Sequence, residues 1–130
     1  MQIRGFHHLA IQVYDLERAL GFYRDLLGFP ELQRHFRDDG SLRSVWVALP
    51  DGGFIALETC AEPPQMEPFR RAAPGYLLLA LRIDPQARHD VERELASHGV
   101  EIVHRTRWTL YVRDPEGNRI GLSHHPHDPP

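Results

Sequence analysis

The sequence contains no lysine; all fifteen of its basic residues are arginine. So complete a bias reflects GC-rich coding rather than a function. Acidic residues outnumber basic ones and the formal net charge is −3. No global basic field exists to hold a nucleic acid. Only one cysteine is present, Cys60, which excludes an internal disulfide framework. No apolar run approaches the roughly 20 residues that span a bilayer, so no membrane partner is expected. No charged start leads into a long apolar stretch, so no signal peptide is visible and a cytoplasmic, soluble protein is the expectation. What remains is ordinary: 42% hydrophobic and 25% charged residues in a chain of 130. That length suits one compact domain or two very small ones.

The pattern along the chain occurs twice. Between Phe6 and Val13, Leu9, Ile11 and Val13 alternate with His8, Ala10 and Gln12, which predicts a strand with one apolar face. A helix follows, with Asp15 as N-cap. Its stripe is Leu16, Ala19, Leu20, Tyr23, Leu26 and Leu27, and Gly28 stands where a helix-ending glycine belongs. Three strands are expected near 31–37, 42–49 and 53–59, the last two joined by the turn Pro50-Asp51-Gly52-Gly53. The second half repeats the order. Leu77, Leu79, Leu81 and Ile83 mark a strand, and Asp84-Pro85 marks a helix start. Ala87, Val91 and Leu95 carry the helical face until Gly99 stops it. Strands near 100–105, 107–113 and 118–123 follow, with the turn Asp114-Pro115-Glu116-Gly117 before the last. Four prolines in 61–74 identify a linker. The predicted fold class is therefore α+β, two tandem βαβββ modules (1–60 and 75–124) whose curved mixed sheets enclose a concave pocket. The Pro- and His-rich tail, 125–130, is expected to fray.

Two stretches carry a resemblance to a known family. His8-Leu9-Ala10-Ile11, Asp15-Leu16-Glu17-Arg18-Ala19 and Phe22-Tyr23-Arg24-Asp25-Leu26-Leu27-Gly28-Phe29 form the first, and Asp114-Pro115-Glu116-Gly117-Asn118 the second. Together they resemble the opening and the closing hairpin of the vicinal oxygen chelate superfamily, which includes glyoxalase I, bleomycin-resistance proteins and extradiol dioxygenases. The resemblance implies a single domain over 1–124 with a glyoxalase-like fold, and a homodimer. It also implies a divalent metal (Zn, Ni, Fe or Mn) held by two ligands from each module. Carried onto this sequence, the first-module ligands fall on His8 and Glu58. The second-module positions fall on Leu78 and Gly121, which have no donor side chain.

Two functions follow from that asymmetry. In the first, the chain is a glyoxalase-like lyase or isomerase, in preference to a dioxygenase. A metal on His8 and Glu58 then stabilises an enediolate-type oxyanion, with Glu58 as ligand or general base. In the second, it is a metal-free binding protein that sequesters a small molecule, as the bleomycin-resistance group does. His8 and Glu58 are then a buried polar pair. In either case a small polar or anionic metabolite, or an aromatic natural product, is expected as ligand, with Arg82, Arg119, Gln12 and Tyr76 lining its pocket. Gly121 is expected to leave room for that ligand. Alternation turns His7 toward the helix side, and His35 is assigned to the surface.

Overall fold

The computed structural model describes residues 1–130 as two compact units, Met1–Pro64 and Gln65–Pro130. In the first unit, β1 (His8–Val13), α1 (Leu16–Leu20), β2 (Glu31–Phe36), β3 (Leu42–Ala48) and β4 (Phe54–Thr59) follow one another. The strand order is β1-β4-β3-β2. β1 runs parallel to β4, and the other pairs are antiparallel hairpins. In the second unit, β5 (Leu79–Arg82), α2 (Arg88–Ser97), β6 (His104–Arg105), β7 (Thr109–Arg113) and β8 (Arg119–Ser123) repeat this as β5-β8-β7-β6. The βαβββ duplication is therefore observed in full.

The core of the first unit lies on the face that alternation selects. Val13, Val45, Val47, Ile55 and Leu57 are buried with Leu16, Ala19, Leu20, Phe22 and Tyr23. Each of the valine, leucine, isoleucine and phenylalanine side chains contributes about 1.5–3 kcal/mol by leaving water. Asp15 caps α1, its carboxylate accepting from the Arg18 N–H at 3.1 Å. The helix then widens into a π-helical turn over Gly21–Leu26, where the Leu27 N–H donates to the Phe22 carbonyl at 2.9 Å. This wider turn buries the adjacent rings of Phe22 and Tyr23 together, which a regular helix stripe does not foresee. Gly28 and Gly99 end their helices at φ 81° and 69°, a conformation that only glycine adopts cheaply.

The second unit departs from expectation in four places. Asp84 and Pro85 stand at the helix start as expected, but they open a 3₁₀ turn, Pro85–Ala87, that leads into α2, and the Asp84 side chain makes no cap bond. β6 has only two residues, against the six expected near 100–105. The linker is not one free segment, because 66–69 is bonded onto the second unit's own sheet. The tail is docked rather than frayed. His124 is 2% exposed. Its Nε2 faces Arg88 Nη1 at 3.0 Å, so it accepts there, and its Nδ1 donates to the His127 carbonyl. Asp128 takes two bonds from Arg107, at 2.9 and 2.5 Å. No helix of the chain is long and apolar enough to cross a membrane.

Candidate functional site

The parallel register of β1 and β4 decides what the first module can build. His8 pairs with Phe54, Ala10 with Ala56, and Gln12 with Glu58. β3 adds Ser44 opposite Glu58, Trp46 opposite Ala56 and Ala48 opposite Phe54. β2 adds His35 beside Ser44 and Gln33 beside Trp46. Paired residues share a face, so the face opposite the core carries three rows. One is polar: Gln12, Glu58, Ser44 and His35. The next is Ala10, Ala56, Trp46 and Gln33. The third is His8, Phe54 and Ala48.

His8 and Glu58 therefore share a face, as expected, but not a position. Four residues of strand separate their rows, about 13 Å along the sheet. Metal–ligand bonds of about 2.0–2.2 Å leave no common point for both side chains at that separation. His8 is instead stacked on Phe54, with centroids 4.7 Å apart and planes 6° apart. Phe54 stacks on Trp46 at 4.4 Å, and Trp46 meets His35 at 4.6 Å. Four rings, one from each strand, form a continuous band. His7, just before β1, is not on the helix side. Its Nδ1 lies 2.8 Å from Nδ1 of His8, so one ring donates and the other accepts.

The polar row is under-bonded. Ser44 is 0% exposed, and its Oγ has no hydrogen-bond partner. Nε2 of His35 is also buried and unpartnered, so this histidine does not belong to the surface as assigned. Glu58 is half-buried and Gln12 exposed, and neither side chain makes a hydrogen bond or an ion pair within the chain. Buried polar groups are ordinarily satisfied, so the unmet ends of Ser44 and His35 set this row apart from the rest of the sheet.

The second module's corresponding face is filled by its own chain. A Cβ on Gly121 would stand 3.3 Å from Cδ1 of Leu78, 3.3 Å from Cγ2 of Thr109 and 3.7 Å from Cε1 of Tyr111. The room expected for a ligand at Gly121 is thus occupied by Leu78. Arg119 is on the expected face but is not available to an anion. It is 7% exposed, and its guanidinium donates to the carbonyls of Phe69, at 2.6 Å, and Pro68. Arg113 donates to the Glu67 carbonyl at 2.7 Å, so 66–69 lies strapped across the sheet. Phe69 packs against His104 and Tyr111, with centroids 5.6 and 5.7 Å apart. Tyr76 is 96% exposed and lines nothing within its unit. Arg82 is exposed and makes no ion pair, beside Ser123 in the register of β5 and β8.

No group of three or more His, Cys, Asp or Glu side chains is placed to hold a metal ion. The donor chemistry agrees: Leu78 and Gly121, at the second-module positions, offer none. The residues present do not fit the family's metal. Sequence reasoning found Gln12, Glu58 and His8 on the open face. It missed the ring band and the buried ends of Ser44 and His35, whose only sequence signal was alternation in β2 and β3.

Comparison with known proteins is consistent along the chain. The family model described as glyoxalase/bleomycin resistance protein/dioxygenase superfamily matches residues 5–122. The uncharacterized protein YwkD of Bacillus subtilis (strain 168) is 28% identical over 101 residues, 78% of this chain and 77% of that protein. A glyoxalase/dioxygenase structure from Nostoc punctiforme has a TM-score of 0.76 at 26% identity, over 92% of this chain and 89% of its own. At 17% identity, a mutant form of the genomically encoded fosfomycin resistance protein FosX from Listeria monocytogenes has a TM-score of 0.75, over 94% and 93%. That structure is a complex with Mn(II) and 1S,2S-dihydroxypropylphosphonic acid.

Proposed function

We propose that this chain, which belongs to the glyoxalase/bleomycin resistance protein/dioxygenase superfamily, binds a small organic molecule on the open face of its first module without a metal ion. One observation carries the metal-free part: Leu78 packs into the place that Gly121 leaves empty, so the second module contributes packing where a metal site needs donors. The binding part rests on the polar row and the ring band lying together on one face, where His8, Ala10, Gln12 and Gln33 are exposed. A binding face needs a few placed polar groups among apolar ones, and this face has both. The enediolate chemistry that the family resemblance implies requires a Lewis acid beside the reacting oxygens. No set of donors here supports that step.

The test is calorimetric titration of Mn(II) and Zn(II) into the untagged full-length chain. The background should be His125→Ala/His127→Ala, which silences the exposed tail imidazoles and keeps the buried His124. No stoichiometric site tighter than about 10 µM is expected. Stoichiometric binding that disappears in both His8→Ala and Glu58→Ala would overturn the metal-free reading.

A further inference from the structure

We infer that the ligand of this face is a planar aryl group carrying a cationic nitrogen, and that Glu58 selects it by charge. The inference rests on the binding reading above. The sequence expectation pointed to an anion, through Arg82 and Arg119. Arg119 is spent on the carbonyls of Pro68 and Phe69. In the first module the open face carries the opposite charge. Glu58 stands in the middle of its row, between Gln12 on β1 and Ser44 on β3, and no arginine occupies any of the three rows. The only other titratable groups there are the imidazoles of His8 and His35. An unpaired, half-buried carboxylate costs free energy that a cation or a strong N–H donor recovers.

The ring band supplies the second half of the recognition. Its faces are largely turned on one another: His8 on Phe54 at 6° and Phe54 on Trp46 at 24°. What remains for a ligand is the row of ring rims and the outer face of exposed His8. Rims carry the positive edge of the aromatic quadrupole and take another ring edge-to-face. An aryl group therefore fits along the band. Trp46 lies one row from Glu58, a spacing of roughly 7 Å along the strands. A ring and an ammonium joined by a short alkyl chain span that distance. Ala10 and Ala56 occupy the same intermediate row as Trp46 and place only methyl groups between the two halves. Gln12, exposed beside the carboxylate on β1, adds a neutral hydrogen-bonding group next to it.

Three probes that share one ring and differ in charge test this: tryptamine, indole and indole-3-propionate. Their affinities are measured by calorimetry for wild type, Glu58→Gln and Trp46→Leu. Circular dichroism checks that each variant folds, and His8→Ala replaces Trp46→Leu if the latter does not. Tryptamine should bind wild type at least about tenfold more tightly than indole-3-propionate. Glu58→Gln should remove about tenfold from tryptamine alone, the loss of one charge-assisted contact at a partly exposed site. Trp46→Leu should weaken every probe that binds. If the three probes bind wild type equally and all weaken in Trp46→Leu, the charge inference is overturned while the first-module site stands. Probe binding that neither variant changes overturns the site as well. No binding of tryptamine at about 1 mM overturns the inference outright.

Discussion

Replacing Gly121 by alanine tests directly whether the second module has closed its own half of the site. The added Cβ would meet Leu78 Cδ1 and Thr109 Cγ2, each at 3.3 Å, closer than comfortable carbon–carbon contact. Thr109 has little freedom to move away. It is 9% exposed, and its Oγ1 donates to Ser123 Oγ at 2.9 Å. The strain therefore falls on Leu78, which is half-buried just before β5. Overpacking of this kind costs about 1–3 kcal/mol. Against it stands a gain of about 0.5–1 kcal/mol, because alanine restricts the unfolded chain more than glycine does. A net loss of about 1 kcal/mol is expected, a fall of about 4 °C in melting temperature for a chain of this size. Leu78→Ala alone should cost about 1–2 kcal/mol, at the low end for a leucine that is only half-buried. In the Leu78→Ala background only the Thr109 and Tyr111 contacts remain, and the loss caused by alanine at 121 should fall to near zero. The coupling energy in a urea-denaturation double-mutant cycle is then about 1 kcal/mol. Strictly additive effects would refute the claim that Leu78 fills the Gly121 space. The room at Gly121 would then be open to ligand after all.

Two further outcomes follow from the charges. Glu31 accepts from Arg34 at 2.9 Å and from Arg24 at 2.7 Å. The Arg34 bonds, then those of Arg24, pull its carboxyl down to about 2 from an ordinary value of 4.5. A depressed folded pKa means the contribution is whole above the unfolded value and is lost as pH falls from about 4.5 toward 2. Asp25 and Asp128, lowered by their bonds from Arg24 and Arg107, titrate with the same sign. Glu31→Gln should lose about 1 kcal/mol at pH 7, discounted for solvent screening, and little at pH 2, read as the pH dependence of the urea midpoint. An equal loss at both pH values would rule out the ion-pair explanation. Arg119→Leu removes both donors that hold Pro68 and Phe69, so limited proteolysis should cut within 66–73 several-fold faster than in wild type. An unchanged cleavage rate would show that Phe69, packed on His104 and Tyr111, holds the strap without Arg119.

The division between what the sequence disclosed and what it withheld follows the range of the interactions. Caps, turns and strand faces are settled by neighbours in sequence. Asp15 and its bond to Arg18 could be foreseen from spacing, and so could the tight turn at Asp114, whose Oδ1 accepts from the N–H groups of Glu116 and Asn118. Alternation likewise put His8, Gln12 and Glu58 on one face, and the register agrees. Alternation has a period of two and is silent on where along a partner strand each residue falls. β1 and β4 are parallel and are joined only through two intervening strands. β2 shifts register twice against β3, between Glu31 and Gln33 and between His35 and Phe36. Those irregularities cannot be read from a pattern of polar and apolar residues, and they decide which side chains of β2 reach Ser44 and Trp46. The His8–Glu58 metal pair failed on register alone. Arg119 failed for a related reason: its face was right, but its partners lie 50 and 51 residues earlier, in a proline-rich segment that carries no periodicity. A ligand-sized site in a duplicated fold depends on the pairing of distant strands and on what the connecting chain lies across. Face assignments alone name its candidate residues without saying which of them stand together. Here the pairing moved the carboxylate away from His8 and toward Gln12 and Ser44, where its charge is unanswered, and so turned an expected anion site into one that calls for a cation.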